Sequence, residues 1–162
     1  MKKLFFTLNL CLFMATFCFV SCGKRCVDPQ ANNSTEKGDC VYPADEFKGI
    51  YTMTCNCTPT SGTGSGAAIN KTFDLELVKV DNDEVAVKNL QGCTGSTNAL
   101  LIVKSYSANI IGITGTCDGD NYDISGTMGL IPTTGDLSIS YNMSGSTAGV
   151  TWYNCTASGT RK

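Results

Sequence analysis

The chain has no histidine. That removes the commonest general base and the commonest protein metal ligand. A serine nucleophile here has no imidazole to activate it. Cys-x-x-Cys, the spacing of redox catalysts and of paired zinc ligands, is also missing. Charge is sparse. Acidic and basic residues make up 16% of the chain, and 12 Lys/Arg against 14 Asp/Glu leave a net charge of −2. No basic cluster suits a phosphate backbone, so no nucleic-acid partner is expected. No stretch beyond the first twenty or so residues carries a helical period. These absences argue against an enzyme, a nucleic-acid binder and a helical fold.

What is present begins with an export signal. Lys2 and Lys3 precede an uncharged run from Leu4 to Val20, and the small Ser21 stands just before Cys22. This is the order of a secretory signal, expected over residues 1–21. The run sits at the short edge of what spans a bilayer, and Thr7, Asn9 and Thr16 dilute it. The sequence "FVSC", Phe19 to Cys22, resembles the lipobox of bacterial lipoproteins. The resemblance implies that Cys22 is lipidated and becomes the mature N-terminus, which anchors the protein to a membrane. Phe19 stands where Leu is commoner, so ordinary signal cleavage is the alternative. Gly23 follows the cysteine, with no Asp there. By resemblance this implies the outer membrane. Lys24 and Arg25 differ from acidic surface-export signals, which favours the periplasmic face.

Residues 22–45 are polar, include Pro29 and Pro43, and read as a tether or loosely held arm. From residue 46 to residue 162 the pattern is β. Eight strands are expected, at 47–57, 71–80, 84–90, 98–104, 109–115, 121–130, 136–143 and 150–158. Apolar residues alternate with polar ones. Phe47, Tyr51, Met53, Cys55 and Cys57 share one side of the first strand. Phe73, Leu75 and Leu77 oppose Asp74 and Glu76 in the second. Tyr122, Ile124, Met128 and Leu130 share a side of the sixth, and Leu137, Ile139, Tyr141 and Met143 a side of the seventh. The connections carry turn chemistry, as in "VDNDEV" and "IPTTGD". One apolar face per strand must be buried by closure or by a second sheet. The fold expected is an all-β, eight-stranded antiparallel up-and-down barrel, with a β-sandwich as the alternative.

Residues 46–162 also resemble the small calycin-like, or lipocalin-like, secreted domains common in Bacteroidetes. The resemblance rests on "FKGIYTMTCNC", "YDISGTMGL", "GDLSISYNMSG" and the closing "YNCTASGTRK". Gly49-Ile50-Tyr51 stands where lipocalins have Gly-x-Trp, with Tyr in place of Trp, and Arg161 follows the last strand as a basic residue does there. The resemblance implies a barrel fold and no particular activity.

Ten cysteines in an exported chain read as a disulfide framework. Cys11 and Cys18 leave with the signal. Of the rest, Cys26 with Cys40 would close a loop in the arm, and Cys93 with Cys117 would bridge two loops. Cys155 on the last strand would reach either Cys55 or Cys57 on the first, leaving one thiol free. A zinc site built from these thiols is the rival reading, and no metal or other cofactor is expected.

Two groups of carboxylates stand close together in the sequence. "CDGDNYD" gathers Asp118, Asp120 and Asp123, but Tyr122 breaks a calcium-loop pattern, so a solvated turn is expected. Asp74 and Glu76 form a carboxylate pair, but they alternate with core residues and face outward. Trp152 and Tyr153 point to opposite faces. The expected function is non-enzymatic. A small apolar or amphipathic ligand would sit in the barrel against Tyr51, Met53, Phe73, Leu75, Tyr122 and Tyr141. If those side chains fill the barrel instead, the alternative is an inhibitor-like or structural envelope lipoprotein that binds a protein partner.

Overall fold

A computed structural model describes residues 24–61, 67–92, 99–117, 120–145 and 152–162. It divides into two compact units, one ending at Val41 and one running from Tyr42 to Lys162. The signal segment, Cys22 and Cys93 lie outside the described residues, and so does the side chain of Cys117.

In the first unit, the stretch expected to be a loose arm is cross-linked. Cys26 and Cys40 form a disulfide across a sequence separation of 14. Turns fill the loop it closes. The Thr35 N–H donates to the Cys26 carbonyl at 2.7 Å, and the Cys26 N–H to Glu36 at 3.1 Å. Asn33 completes the set, donating through Nδ2 to the Asp39 carbonyl and accepting from the Val41 N–H, both at 2.8 Å. Side-chain and disulfide constraints here replace the core that so short a segment cannot build.

The second unit opens with a short helix, α1 (Pro43–Phe47), where the sequence pattern gave no helix and began a strand at 47. Local chemistry explains the difference. Pro43 occupies the first helical turn, where a missing N–H costs nothing. The carboxylate of Asp45 accepts from the Tyr42 N–H at 3.2 Å. Phe47 is buried as expected, but from the helix.

Eight strands follow: β1 (Gly49–Ser61), β2 (Ile69–Lys79), β3 (Glu84–Lys88), β4 (Ala99–Lys104), β5 (Ser107–Cys117), β6 (Asp120–Leu130), β7 (Leu137–Gly145) and β8 (Trp152–Arg161). Each pairs antiparallel with the next, and β8 pairs back onto β1 to close a barrel in up-and-down order. The barrel is therefore the architecture, and the sandwich alternative falls. The period-two pattern sets which side chains point inward. Tyr51, Met53, Cys55 and Cys57 of β1, Phe73, Leu75 and Leu77 of β2, and Leu137, Ile139, Tyr141 and Met143 of β7 belong to one buried cluster. A one-residue slip of any of these strands would expose its whole set.

Two bulges bend the wall. One lies between Pro59 and Ser61 on the β1–β8 ladder, where a proline has no N–H to give. The other lies between Ile110 and Ile113 on β5–β6, where Gly112 takes a left-handed φ of 62°. Close approach sets a different demand at Gly159, which faces Met53 across the closing ladder. A Cβ there would lie 2.2 Å from the Thr52 carbonyl oxygen and 2.8 Å from Met53 Cα. The tight coiling of β8 over β1 needs glycine at that point.

Gly159→Ala is therefore expected to destabilise the barrel by about 3 kcal/mol. Thr156→Ala, on the exposed face of the same strand, should stay within about 0.5 kcal/mol of wild type. Denaturant unfolding followed by tyrosine fluorescence measures both. Equal stabilities would show that the closure is not tight.

Candidate functional site

The strands run between two ends of the barrel, and each end is occupied by the chain. At the end where β1 starts, α1 inserts Ala44 and Phe47, both fully buried. At the opposite end a single 3-10 turn, Leu90–Gly92, carries Leu90 and Gln91 into the interior. Between them lie Tyr51, Met53, Phe73, Leu75 and Tyr141, five of the six side chains expected to line a ligand chamber. All are buried within one contiguous cluster. The sixth, Tyr122, is half-buried at the margin of that cluster, with its ring edge-on to Tyr153 at 6.5 Å between centroids.

The α1 end is held by Arg161. Its Nε and Nη2 donate to the Tyr51 hydroxyl at 3.2 and 2.7 Å, and its guanidinium lies over the Tyr51 ring, 5.3 Å from the centroid. The Tyr51 hydroxyl in turn donates to the Phe47 carbonyl at 2.9 Å. Arg161 Nη2 also donates to the Glu46 carbonyl. Gly49 leaves room for this, because a Cβ there would stand 3.3 Å from Arg161 Nε. Burial pushes the Tyr51 phenol up from its ordinary value, against the opposing pull of Arg161. Asp45 adds an ion-pair cluster, 2.9 Å from both Lys48 Nζ and Lys79 Nζ. Partial burial pushes its carboxyl up, but the two ammonium groups and the Tyr42 N–H together outweigh this. They hold the carboxyl down at about 2.

The opposite end contains sulfur. Cys57 and Cys155 form the staple between the first and last strands, across a separation of 98 residues. Sequence spacing left Cys55 and Cys57 as equal candidates. Register decides between them, since Cys57 lies opposite Cys155 while Cys55 lies opposite Ala157. Cys55 is a free, buried thiol, and burial pushes its pKa up. The Tyr141 hydroxyl donates to Gln91 Oε1 at 3.0 Å, and Gln91 Nε2 donates to Cys57 Sγ at 3.5 Å. Burial, followed by the neighbouring Cys55 charge, raises the Tyr141 phenol strongly.

Gln91 was not singled out from the sequence. The strand expected at 84–90 stops just short of it, whereas β3 ends at Lys88 and a 3-10 turn begins at Leu90; only tertiary contact reveals that the Gln91 amide points inward. Asn89 gave a partial signal, since asparagine tolerates the left-handed φ of 60° it adopts. The pairing expected for Cys93 with Cys117, and the position of Asp118, lie outside what is described. Asp123 Oδ1 accepts from Thr114 Oγ1 at 3.0 Å. Asp74 and Glu76 face outward, as their alternation implied. They pair with Lys162 at 2.7 Å and Lys88 at 3.8 Å.

A second feature that sequence reasoning missed is on the outer wall. Among the described residues the β4–β5 ladder has two pairs, Val103↔Ala108 and Lys104↔Ser107. Beyond them Ala99–Ile102 and Asn109–Ile111 have no ladder between them. Leu100, Ile102 and Ile111 are exposed there, Ile111 by 82%. They line a groove of about 290 Å³ with Lys104, Ser107 and Asn109. The signal was legible. "ALLIV" and "NIIGI" place apolar residues on both faces of a strand, where the other strands alternate.

No protein-family model matches the chain, and no curated protein or solved structure matches it either.

Two outcomes follow from the α1 end. Tyr51→Phe should cost about 1 kcal/mol in denaturant unfolding, because the buried Phe47 carbonyl loses its donor and the Arg161 guanidinium loses an acceptor. An unchanged midpoint would mean that Arg161 is held by its other contacts. Asp45 sits at about 2 in the folded protein against an ordinary 3.8. A lowered carboxyl stabilises the fold above the ordinary value and ceases to do so as pH falls through about 2. Wild type should lose about 1 kcal/mol relative to Asp45→Asn between pH 4 and pH 2, after allowance for solvent screening. Parallel melting curves of the two proteins across that window would remove the assignment.

Proposed function

We propose that the chain is an exported, lipid-anchored, calycin-like envelope protein of the outer membrane, and that it binds a partner on its outer wall. The anchor is Cys22, and the periplasmic face is its location. What supports the calycin-like reading is the closed up-and-down barrel together with the Arg161–Tyr51 contact beside Gly49. Two disulfides suit an oxidising compartment. The protein works without catalysis. The acidic residues considered for that role, Asp74 and Glu76, point away from the interior and carry lysine partners.

The observation that carries the binding reading is the β4–β5 seam. Unpaired ladder positions on two strands call for another strand, and the exposed Leu100, Ile102 and Ile111 call for apolar side chains on it. The occupant is a protein partner that presents an extended apolar segment. The alternative, a small apolar ligand held inside, draws less support. The positions it would touch are packed against one another between the two inserted ends.

A photo-crosslinking residue placed at Ile111 in the cell envelope, with a second placed at Thr156, tests this. A discrete protein adduct from Ile111 alone, lost in Leu100→Asp, is expected. Adducts of equal yield at both positions, or none, would refute the seam. Native mass spectrometry of the exported protein supplies the other arm. A small-molecule mass excess released on unfolding would restore the interior-ligand reading in its place.

A further inference from the structure

The β4–β5 seam is open at one end and closed at the other. The closed end is the hairpin itself. Val103↔Ala108 and Lys104↔Ser107 are its pairs among the described residues, and Ser107 Oγ adds a bond to the Lys104 carbonyl at 3.3 Å. Paired strands stand about 4.8 Å apart, so no chain passes between them there. From this point β4 leads back through Ile102 to Ala99, and β5 leads on through Asn109 to the Gly112 bulge. The groove is therefore a wedge. A strand that enters from the open end runs into the hairpin, and must stop or leave.

The outer row of each strand changes character toward the hairpin. Leu100 and Ile102 lead to Lys104 on β4, and Ile111 and Asn109 lead to Ser107 on β5. Lys104 is the only charge among the described residues that line the groove. It is exposed and makes no ion pair, whereas Lys48, Lys79, Lys88 and Lys162 each have one. Glu84 stands opposite Ile102, on the other side of β4 from the seam, and does not pair with Lys104. The backbone adds a donor. The Val103 N–H donates to the Asp83 carbonyl, on the β3 side, at 2.8 Å. Alternation along an antiparallel strand then turns the Ile102 N–H toward β5, at the first position past the last pair. An ammonium group and a backbone N–H thus converge at the blind end of an apolar wedge.

We propose that the seam takes the carboxyl-terminal end of its partner, with the α-carboxylate at Lys104 and apolar side chains along Leu100, Ile102 and Ile111. The proposal rests on the reading of the seam as the binding surface. A chain end suits a blind wedge, and a strand that runs through does not. Of the two chain ends, the carboxylate matches the unpaired ammonium of Lys104, while an α-amino group there would face a like charge. With that end at the hairpin, the segment runs parallel to β4 and antiparallel to β5. β4 extends past the last pair from Ile102 to Ala99, so about four terminal residues of the partner are read. Strand pairing supplies affinity without regard to sequence. The period of two then asks for apolar side chains at every second position. Lys104 adds the requirement that the chain ends there.

The test uses the full-length exported protein. Random heptapeptides are displayed on phage in two formats, one with the carboxyl end free and one held by that end with the amino end free. Enrichment from the carboxyl-free library alone is expected, with apolar residues at alternate terminal positions. Equal enrichment from both libraries overturns the chain-end proposal and leaves the seam as the binding surface. No enrichment from either overturns both. Synthetic copies of an enriched peptide, followed by fluorescence anisotropy, supply the second arm. Amidation of the terminal carboxylate should weaken binding about tenfold, and so should Lys104→Glu, while Lys104→Arg keeps it. Lys104 is exposed and unpaired, so both variants are expected to fold. Equal affinity of the acid and amide forms overturns the proposal. Binding that survives Leu100→Asp places the peptide elsewhere and overturns it as well.

Discussion

The ladder between β1 and β8 closes the barrel. It runs from Tyr51↔Arg161 to Ser61↔Trp152, and it joins the beginning of the barrel to its end. Without it, both strands would be free edges, and the inward side chains of every strand would face water. Three devices sit on this one ladder. The Cys57–Cys155 bond restrains the unfolded chain across 98 residues, a contribution of about 4 to 5 kcal/mol in the chain-entropy account. Arg161 carries the last strand to the Tyr51 ring and the end of α1. Gly159 lets the two backbones approach.

The opposite side of the barrel is built differently. β3 and β4 are short, and β4 meets β5 over two residue pairs. The Gly112 bulge turns β5 just where that ladder ends. One wall is thus long, paired and cross-linked, and the other is open and apolar. A packed interior adds to the contrast. With Phe47 and Leu90 inserted at the two ends, the interior is filled by the chain's own side chains. Proteins manage exposed strand edges with charge or proline. Lys104 is at the paired end of this seam, and the unpaired part carries leucine and isoleucine instead.

Much of this was readable in the residues. Alternation at Tyr51, Met53, Cys55 and Cys57, and again at Leu137, Ile139, Tyr141 and Met143, specified both the strands and their inner faces. Turn residues such as those of "VDNDEV" specified consecutive pairing. Strand ends shifted by a few residues, since ladders continue into flanks whose own propensity is neutral. The α1 helix was not legible. Five residues are too few for a period, and its cause is a proline and a carboxylate placed by context.

What the sequence determined by itself was the class: all-β strands with one apolar face, joined by turns, in an up-and-down order. Those properties are local, set by side-chain period and turn chemistry within a few residues. Tertiary structure alone decided which cysteine meets Cys155, that Gln91 turns inward, that the interior is packed, and that the β4–β5 ladder stops after two pairs. Each of these depends on register between strands far apart in the chain. A shift of two residues preserves every local preference and still changes which atoms touch.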